Sequence, residues 1–337
     1  MMKKICLNGL GRIGKLLLRE LIKHNNLVDL IFINDSMGDA KTHAHLLEFD
    51  SIHGRWNKKI NVEGNSLKIE NKTIPFFSYN DPTDIPIKEN NIDVVIDCTG
   101  SNKSLEKIKP YFTNGAKKVL VSAPIKDKSV INIVYGINEG LYDPSKYDII
   151  TAASCTTNSI APIIYIIKKE LGIKSAMVTT IHDITNTQVI ADVARKDLRR
   201  SRSAIHNLIP TSTGSATAIT LIYPELKNKI DGIAIRVPVL NSSLSDCVFS
   251  LEKKTTVDEV NSLFRKYSES RLEGILQVED RPLVSSDFIN NPNSVIIDLP
   301  STMVVDETLL KVFGWYDNEF AYALRMLDIL KLIIKTI

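Results

Sequence analysis

Near the amino terminus, KICLNGLGRIGKLLLRELIKHNNLVDLIFINDS runs from an apolar segment through three closely spaced glycines into an amphipathic stretch and a second apolar segment. No other feature of the chain narrows its fold as far. Ile5 and Leu7 mark a first strand, Ile13, Leu16, Leu17 and Leu21 recur at helical spacing, and LIFIN reads as a buried strand. Gly9, Gly11 and Gly14 keep the spacing G-x-G-x-x-G. In such a turn the first glycine serves the tight bend, the second an unobstructed approach to a pyrophosphate, and the third close helix–sheet packing. The helix start that follows adds N–H donors and a partial positive charge. Asp35 closes the second strand about 20 residues later, where a carboxylate accepts from ribose hydroxyls and repels a 2′-phosphate. The stretch predicts a doubly wound dinucleotide-binding domain that favours NAD over NADP.

Two further segments, NNIDVVIDCTG and AKKVLVSAP, read as short buried strands that end in small polar residues. Thr99, Gly100 and Ser122 are thereby expected to line the cofactor crevice. Residues 57–80 alternate in short polar strands with turn residues, which predicts an antiparallel excursion. At 337 residues the chain is long for a single core, so a second domain is expected. With 42 basic against 39 acidic side chains the surplus is too small to argue for nucleic acid or membrane surfaces. No uncharged run reaches the roughly 18 residues of a membrane span, and MMKKICLNGLGRIG lacks the apolar core of a signal peptide. Cys6, Cys98, Cys155 and Cys247 lie far apart without metal-ligand spacing, so no metal is expected, and a reducing cytoplasm suits free thiols.

The most chemically suggestive thiol sits in ITAASCTTNSIAP. Beyond it Ile160, Ile163, Ile164, Ile167 and Leu171 share one helical face, with Gly172 as a stop. Cys155 therefore falls at a helix N-terminus, where the dipole and unpaired N–H groups lower a thiol pKa and can cradle an oxyanion. Its expected base is His182, at the end of the strand-like AMVTTIH, because cysteine with imidazole makes an activated nucleophile.

Six segments in order, NGLGRIG, HLLEFDSIHGRW, ASCTTN, KDLRRSRSAIHNLIPTSTGSA, RVPVLN and WYDNEFAYALRM, resemble phosphorylating glyceraldehyde-3-phosphate dehydrogenase across nearly the whole chain. The resemblance implies a Rossmann-type doubly wound nucleotide-binding domain over 1–153 plus the last helix, about 318–337, and an α+β catalytic domain over 154–317. It implies a cytoplasmic homotetramer that oxidises glyceraldehyde 3-phosphate with NAD through a Cys155 thioester, with His182 as base and inorganic phosphate as acceptor. Thr185, Arg199 and Arg236 would hold the substrate phosphate, and Ser154, Thr156, Thr213 and Gly214 the attacking one. Arg200 and Arg202 are left to solvent or to an interface. Asn318 would bind the nicotinamide carboxamide, and Arg12 and Ile13 the pyrophosphate and adenine side. Ser159 stands where most of the family has a second cysteine, so no disulfide to Cys155 can form. Asn80 replaces a cation that often meets the adenine. Asp183 puts a carboxylate next to the base; on a strand it would point away from His182 and matter little.

Erythrose-4-phosphate dehydrogenase is the nearest rival, but it lacks the STG loop found here at 212–214. Aspartate-semialdehyde dehydrogenase would not need HLLEFDSIHGRW or WYDNEF, and a non-enzymatic binding protein would not need both Cys155 and His182. EFDSIHGRW, HDITNTQ, KDLRRSRSA and NSSLSDCVF resemble the branch of the family associated with arsenic resistance, so arsenate as acceptor is the alternative within the same chemistry. Asp35 followed by the small Ser36 predicts NAD preference with partial tolerance of NADP. The ratio of kcat/KM for the two cofactors measures it, and equal values would show that the ribose carboxylate does not set the choice.

Overall fold

A computed structural model describes residues 2–337, apart from the side chains of residues 215 and 216. The chain divides into two units. The first takes the chain up to Ile133 with Glu139–Ala153 and Ala323–Ile337, and the second takes Val134–Asn138 and Ser154–Tyr322.

In the first unit β1 (Lys4–Asn8), helix α1 (Arg12–Lys23) and β2 (Asp29–Asn34) form the expected strand–turn–helix–strand. Helix α2 (Ala40–Glu48) starts at Asp39, whose side chain accepts the Thr42 N–H. After it come β3 (Ile60–Glu63), β4 (Ser66–Ile69) and β5 (Lys72–Phe77). Then follow β6 (Val94–Asp97), α3 (Leu105–Thr113), β7 (Lys118–Val121), β8 (Val130–Asn132) and β9 (Ile149–Thr151). The sheet runs β3-β4-β5-β2-β1-β6-β7-β9-β8. Only the pairs β3/β4 and β4/β5 are antiparallel, so the excursion is confined to one edge and β5 rejoins β2 in parallel. Ile5, Leu7, Val95, Ile96, Val119 and Leu120 are fully buried, as central strands covered on both faces require. Each large apolar side chain so buried contributes about 1.5–3 kcal/mol.

The second unit is an α+β layer pair. Helix α4 (Cys155–Glu170) leads into β10 (Ile173–His182), followed by β11 (Ile209–Thr211), α5 (Ser215–Ile222), β12 (Ile230–Arg236) and β13 (Ser243–Leu251). Helix α6 (Val257–Ser268), β14 (Leu276–Glu279), β15 (Val295–Asp298), β16 (Met303–Val305) and β17 (Leu309–Tyr316) complete it. The sheet order is β11-β12-β10-β13-β17-β15-β14, with β16 on β17. Helix α4 lies against β10, β13, β15 and β17, flanked by α5 and α6. Its isoleucines 160, 163, 164, 166 and 167 are buried almost completely.

Helix α7 (Phe320–Ile334) carries the chain from the second unit back to the first. The expected boundary at 318 moves to between Tyr322 and Ala323. Asp317 Oδ1 accepts the N–H groups of Glu319 and Phe320 and ties the helix start to the turn after β17.

The three glycines are needed for different reasons. Gly9 has φ +96°, and a Cβ there would lie 2.6 Å from the Cys98 carbonyl carbon and the Thr99 nitrogen. A Cβ on Gly14 would lie 1.9 Å from the Gly9 carbonyl oxygen, whereas one on Gly11 would meet nothing within 4 Å. Gly14→Ala should therefore cost about 1–3 kcal/mol in stability by overpacking. Gly11→Ala should leave unfolding nearly unchanged and weaken NAD binding instead. Urea unfolding and cofactor titration of the two variants separate these effects, and equal loss of stability would show that the glycines share one role.

Candidate active site

The glycine turn lies at the carboxyl ends of the first unit's central strands. From β1 the sheet continues to β2 on one side and β6 on the other, the crevice position at which open α/β sheets bind ligands. Asp35 is locked to the turn: its Oδ2 accepts the Leu10 N–H at 2.6 Å and its Oδ1 the Met37 N–H at 2.8 Å. Thr99 and Ser122 follow the next two strand ends. The Thr99 hydroxyl donates to Asp97 Oδ1 at 2.7 Å, and the Ser122 N–H to the Asp97 carbonyl at 2.9 Å. Beneath them runs a buried network absent from the sequence reading. Asn34 donates to Asn8 at 2.8 Å, Asn8 to the Tyr111 hydroxyl, and Tyr111 to Asp97 at 2.7 Å. It braces three strand ends with side chains whose spacing gave no signal.

Arg12 is held in a bidentate pair with Asp50, at 2.6 and 3.0 Å. Burial pushes the Asp50 carboxyl up, but bonds from Arg12 and from the His53 and Ile52 N–H groups outweigh it and hold the group down at about 2. Ile13 is half-buried in the first turn of α1, which has no side-chain cap. An open Gly11, an uncapped helix start and a clamped Asp35 fit the pyrophosphate and ribose of NAD.

The second unit assembles its polar residues by register. His182 pairs with Arg236 across β10 and β12, and Ser243 with Tyr316 across β13 and β17, so four adjacent strands end in one row. Helix α4 begins against this row. Cys155 is its first residue, and the Ser154 hydroxyl caps it by accepting the Thr157 N–H at 3.1 Å. Cys155 Sγ lies 3.8 Å from His182 Nε2. Cys155 is half-buried, whereas Cys6, Cys98 and Cys247 are buried and their thiols are pushed far up by burial. Those three are inert apolar fillers.

His182 Nδ1 has three close neighbours: Asp183 Oδ1 at 2.5 Å, the Asp183 carbonyl at 3.0 Å and Arg236 Nη1 at 2.6 Å. Carrying a proton, Nδ1 donates to Asp183; without one, it accepts from Arg236. Burial works against the imidazolium, but the bonds to Asp183 and Cys155 prevail and raise its pKa to about 9. The expectation that Asp183 points away fails because β10 ends at His182. Beyond that residue the strand alternation no longer applies, and the carboxylate returns to the ring.

Asn318 is buried beside the same carboxylate and donates from Nδ2 to Asp183 Oδ2 at 2.9 Å. Arg236 Nε is buried without a partner, a donor suited to an anion. Thr185 is exposed, its hydroxyl donating to Gln188 at 3.0 Å. Thr156 is buried with its hydroxyl 3.0 Å from that of Tyr316. Thr213 and Gly214 immediately precede α5. Of the two adjacent arginines, Arg199 is exposed with Nη1 on the Pro210 carbonyl at 3.3 Å. Arg200 instead reaches the Thr211 hydroxyl at 2.8 Å and the Ser212 carbonyl at 3.2 Å, beside the Thr213–Gly214 turn. Arg200 is thus not left to solvent. Two identical neighbours in a loop give no sequence signal for which one turns inward. Arg202 is exposed and pairs with Asp192 at 2.7 Å. Ser159 is buried with its hydroxyl 3.3 Å from that of Ser245. Among the described residues no group of three or more His, Cys, Asp or Glu could hold a metal ion, and no helix is long and apolar enough to cross a membrane.

A family model of the glyceraldehyde 3-phosphate dehydrogenase NAD binding domain matches residues 3–105, and that of its C-terminal domain matches residues 154–318. The chain belongs to this family. It is 49% identical over 327 residues, 97% of this chain and 96% of the relative, to glyceraldehyde-3-phosphate dehydrogenase 3 of Nostoc sp.. It is 43% identical to the glyceraldehyde-3-phosphate dehydrogenase of Geobacillus stearothermophilus, over 97% of this chain and 96% of the relative. These matches bear out the fold class, the NAD cofactor and the enzyme class expected above.

Cys155→Ser should abolish aldehyde oxidation and leave NAD binding nearly intact, since the glycine turn and Asp35 belong to the other unit. His182→Asn should lower turnover about 10²–10⁴-fold, the usual contribution of a positioned base. It should also slow alkylation of Cys155 at neutral pH. A wild-type alkylation rate in that variant would show that the ring does not activate the thiol.

Proposed function

We infer that the chain oxidises D-glyceraldehyde 3-phosphate to 1,3-bisphosphoglycerate, with NAD as oxidant and inorganic phosphate as acceptor. The observation that carries this reading is Cys155 at the start of α4, 3.8 Å from Nε2 of an imidazole whose pKa is raised. A thiolate beside an imidazolium adds to the aldehyde carbon. The alkoxide so formed faces the Nε2 proton and the N–H groups of the helix start. NAD, when bound, supplies the hydride acceptor; Gly9, Gly11, Gly14, Asp35, Thr99 and Ser122 would hold it, with Arg12 and Ile13 beside them and Asn318 toward the carboxamide. His182 Nε2 takes the hydroxyl proton as the thiohemiacetal becomes a thioester. Phosphate then attacks the acyl carbon, and the departing sulfur is again paired with the imidazolium.

Arg236 and Thr185 would bind the substrate phosphate. Ser154, Thr156, Thr213 and Gly214 would bind the attacking one, joined by Arg200, which reaches the Thr211–Ser212 segment just before them. Arg199, which the resemblance assigns to the substrate phosphate, is exposed and turned to the Pro210 carbonyl instead. Guanidinium groups and hydroxyls match the tetrahedral oxyanion. A homotetramer in the cytoplasm is the assembly and location that the family resemblance supports. The arsenate alternative has no support of its own in the site or in the relatives named above.

The deciding assay follows NADH formation from glyceraldehyde 3-phosphate with phosphate, with arsenate and with neither. Rapid turnover with phosphate and little without an oxyanion is expected. Turnover of erythrose 4-phosphate but not of glyceraldehyde 3-phosphate would replace this reading with its nearest rival.

A further inference from the structure

We propose that Asp183 is a positioning residue of this chemistry, one carboxylate that sets both the ring tautomer of His182 and the amide orientation of Asn318. The proposal rests on the function inferred above for its consequences in turnover, but its geometry stands within the second unit alone. Asp183 is 1% exposed. One carboxylate oxygen lies 2.5 Å from His182 Nδ1, and the other accepts Asn318 Nδ2 at 2.9 Å. Ser243 completes the shell. Its Oγ accepts the Asp183 N–H at 3.2 Å and lies 3.3 Å from Asp183 Oδ1 and 3.2 Å from Asn318 Oδ1.

A carboxylate offers acceptors only, so both neighbours must turn a donor toward it. For Asn318 this means that Nδ2 faces Asp183 and Oδ1 is left as an acceptor, the orientation that receives a carboxamide N–H. For His182 it means a proton on Nδ1, which leaves Nε2 to exchange its proton with Cys155. The competing donor is Arg236, whose Nη1 stands 2.6 Å from the same Nδ1. Without the carboxylate, the residue 183 carbonyl at 3.0 Å remains as an acceptor for an Nδ1 proton, but Arg236 Nη1 already donates to that oxygen at 3.0 Å, so the guanidinium would claim Nδ1 as an acceptor and drive the ring proton to Nε2. A neutral ring would then present a proton, not a lone pair, to the sulfur. The charged or titratable groups facing His182 are therefore Cys155 from α4, Arg236 from β12, Asp183 on its own segment and Tyr316 from β17. The Tyr316 ring meets the imidazole edge-on at 6.2 Å, and burial and the Cys155 charge keep its phenol protonated.

The test uses the full chain with Asp183→Asn and Asp183→Ala. A carboxamide has one acceptor atom where the carboxylate has two, so the amide side chain of Asp183→Asn can satisfy only one of its neighbours as they now stand. Asp183→Asn should slow iodoacetamide alkylation of Cys155 at neutral pH ten-fold or more and shift its pH profile upward, or raise KM for NAD ten-fold, or do both. Asp183→Ala should do both. A purely structural role predicts that the isosteric amide restores wild-type behaviour. A wild-type alkylation profile together with a wild-type NAD KM in Asp183→Asn overturns the proposal. A measurement free of any change at position 183 is ¹⁵N NMR of histidine-labelled Cys155→Ser protein above the pKa of His182: the Nδ1–H tautomer supports the proposal and the Nε2–H tautomer overturns it. Alkylation and tautomer need no substrate. If the wild-type chain failed to oxidise glyceraldehyde 3-phosphate, the inferred function would fall while these readouts still judged Asp183.

Discussion

The contact between Cys155 Sγ and His182 Nε2, 3.8 Å apart, requires a helix start and a strand end to meet. Neither element fixes that meeting alone. Helix α4 is held by its isoleucine face on the sheet, and its first turn is set by Ser154 as cap. Just before it, Ala153 adopts φ +53°, a left-handed conformation that costs a non-glycine residue about 1–2 kcal/mol. Cys155, as the first residue of α4, stands at the positive end of the helix dipole.

Around this pair the charges are arranged so that the cations outlast neutral pH. Arg236 lies beside the ring and next to the thiol's field, and burial disfavours its charge while Asp183 and Cys155 favour it. A site that must bind two phosphate groups and stabilise an alkoxide needs this positive excess. A ring adjacent to a guanidinium would ordinarily lose its own proton. Asp183 offsets that repulsion, so the base and the anion site can occupy neighbouring strands.

The nucleotide unit solves a different problem, which is to bring backbone close to phosphate without blocking it. Gly14 lets α1 approach the Gly9 carbonyl, and Gly9 lets the turn approach the end of β6. The strand ends are paired in the ladder as far as Asn8, Asn34 and Asp97, and the side chains of Asn8, Asn34, Tyr111 and Asp97 add a second tie from below. Burial further disfavours ionisation of Tyr111, so its hydroxyl stays a donor to Asp97.

Spacing within a single stretch was enough for the first unit's turn, its three glycines, Asp35, and the placement of Cys155 at a helix start. These depend on residues a few positions apart, where helix and strand periods leave few choices. The antiparallel excursion at 57–80 was legible for the same reason, although the parallel return of β5 was not. What only the tertiary structure decided lies across long separations. Register between β10 and β12 puts Arg236 beside His182, and the turn after β17 brings Asn318 to Asp183 over 135 residues of chain. The adjacent Arg199 and Arg200 are chemically identical, so their order carries no information; only the path of the loop past Thr211 selects one. For Asp183 strand alternation predicts the wrong direction, because β10 stops one residue earlier. Periodicity gives the direction of a side chain only while the hydrogen-bonded ladder continues, and where β10 ends it is the surrounding charges, drawn from distant parts of the sequence, that set where the carboxylate points.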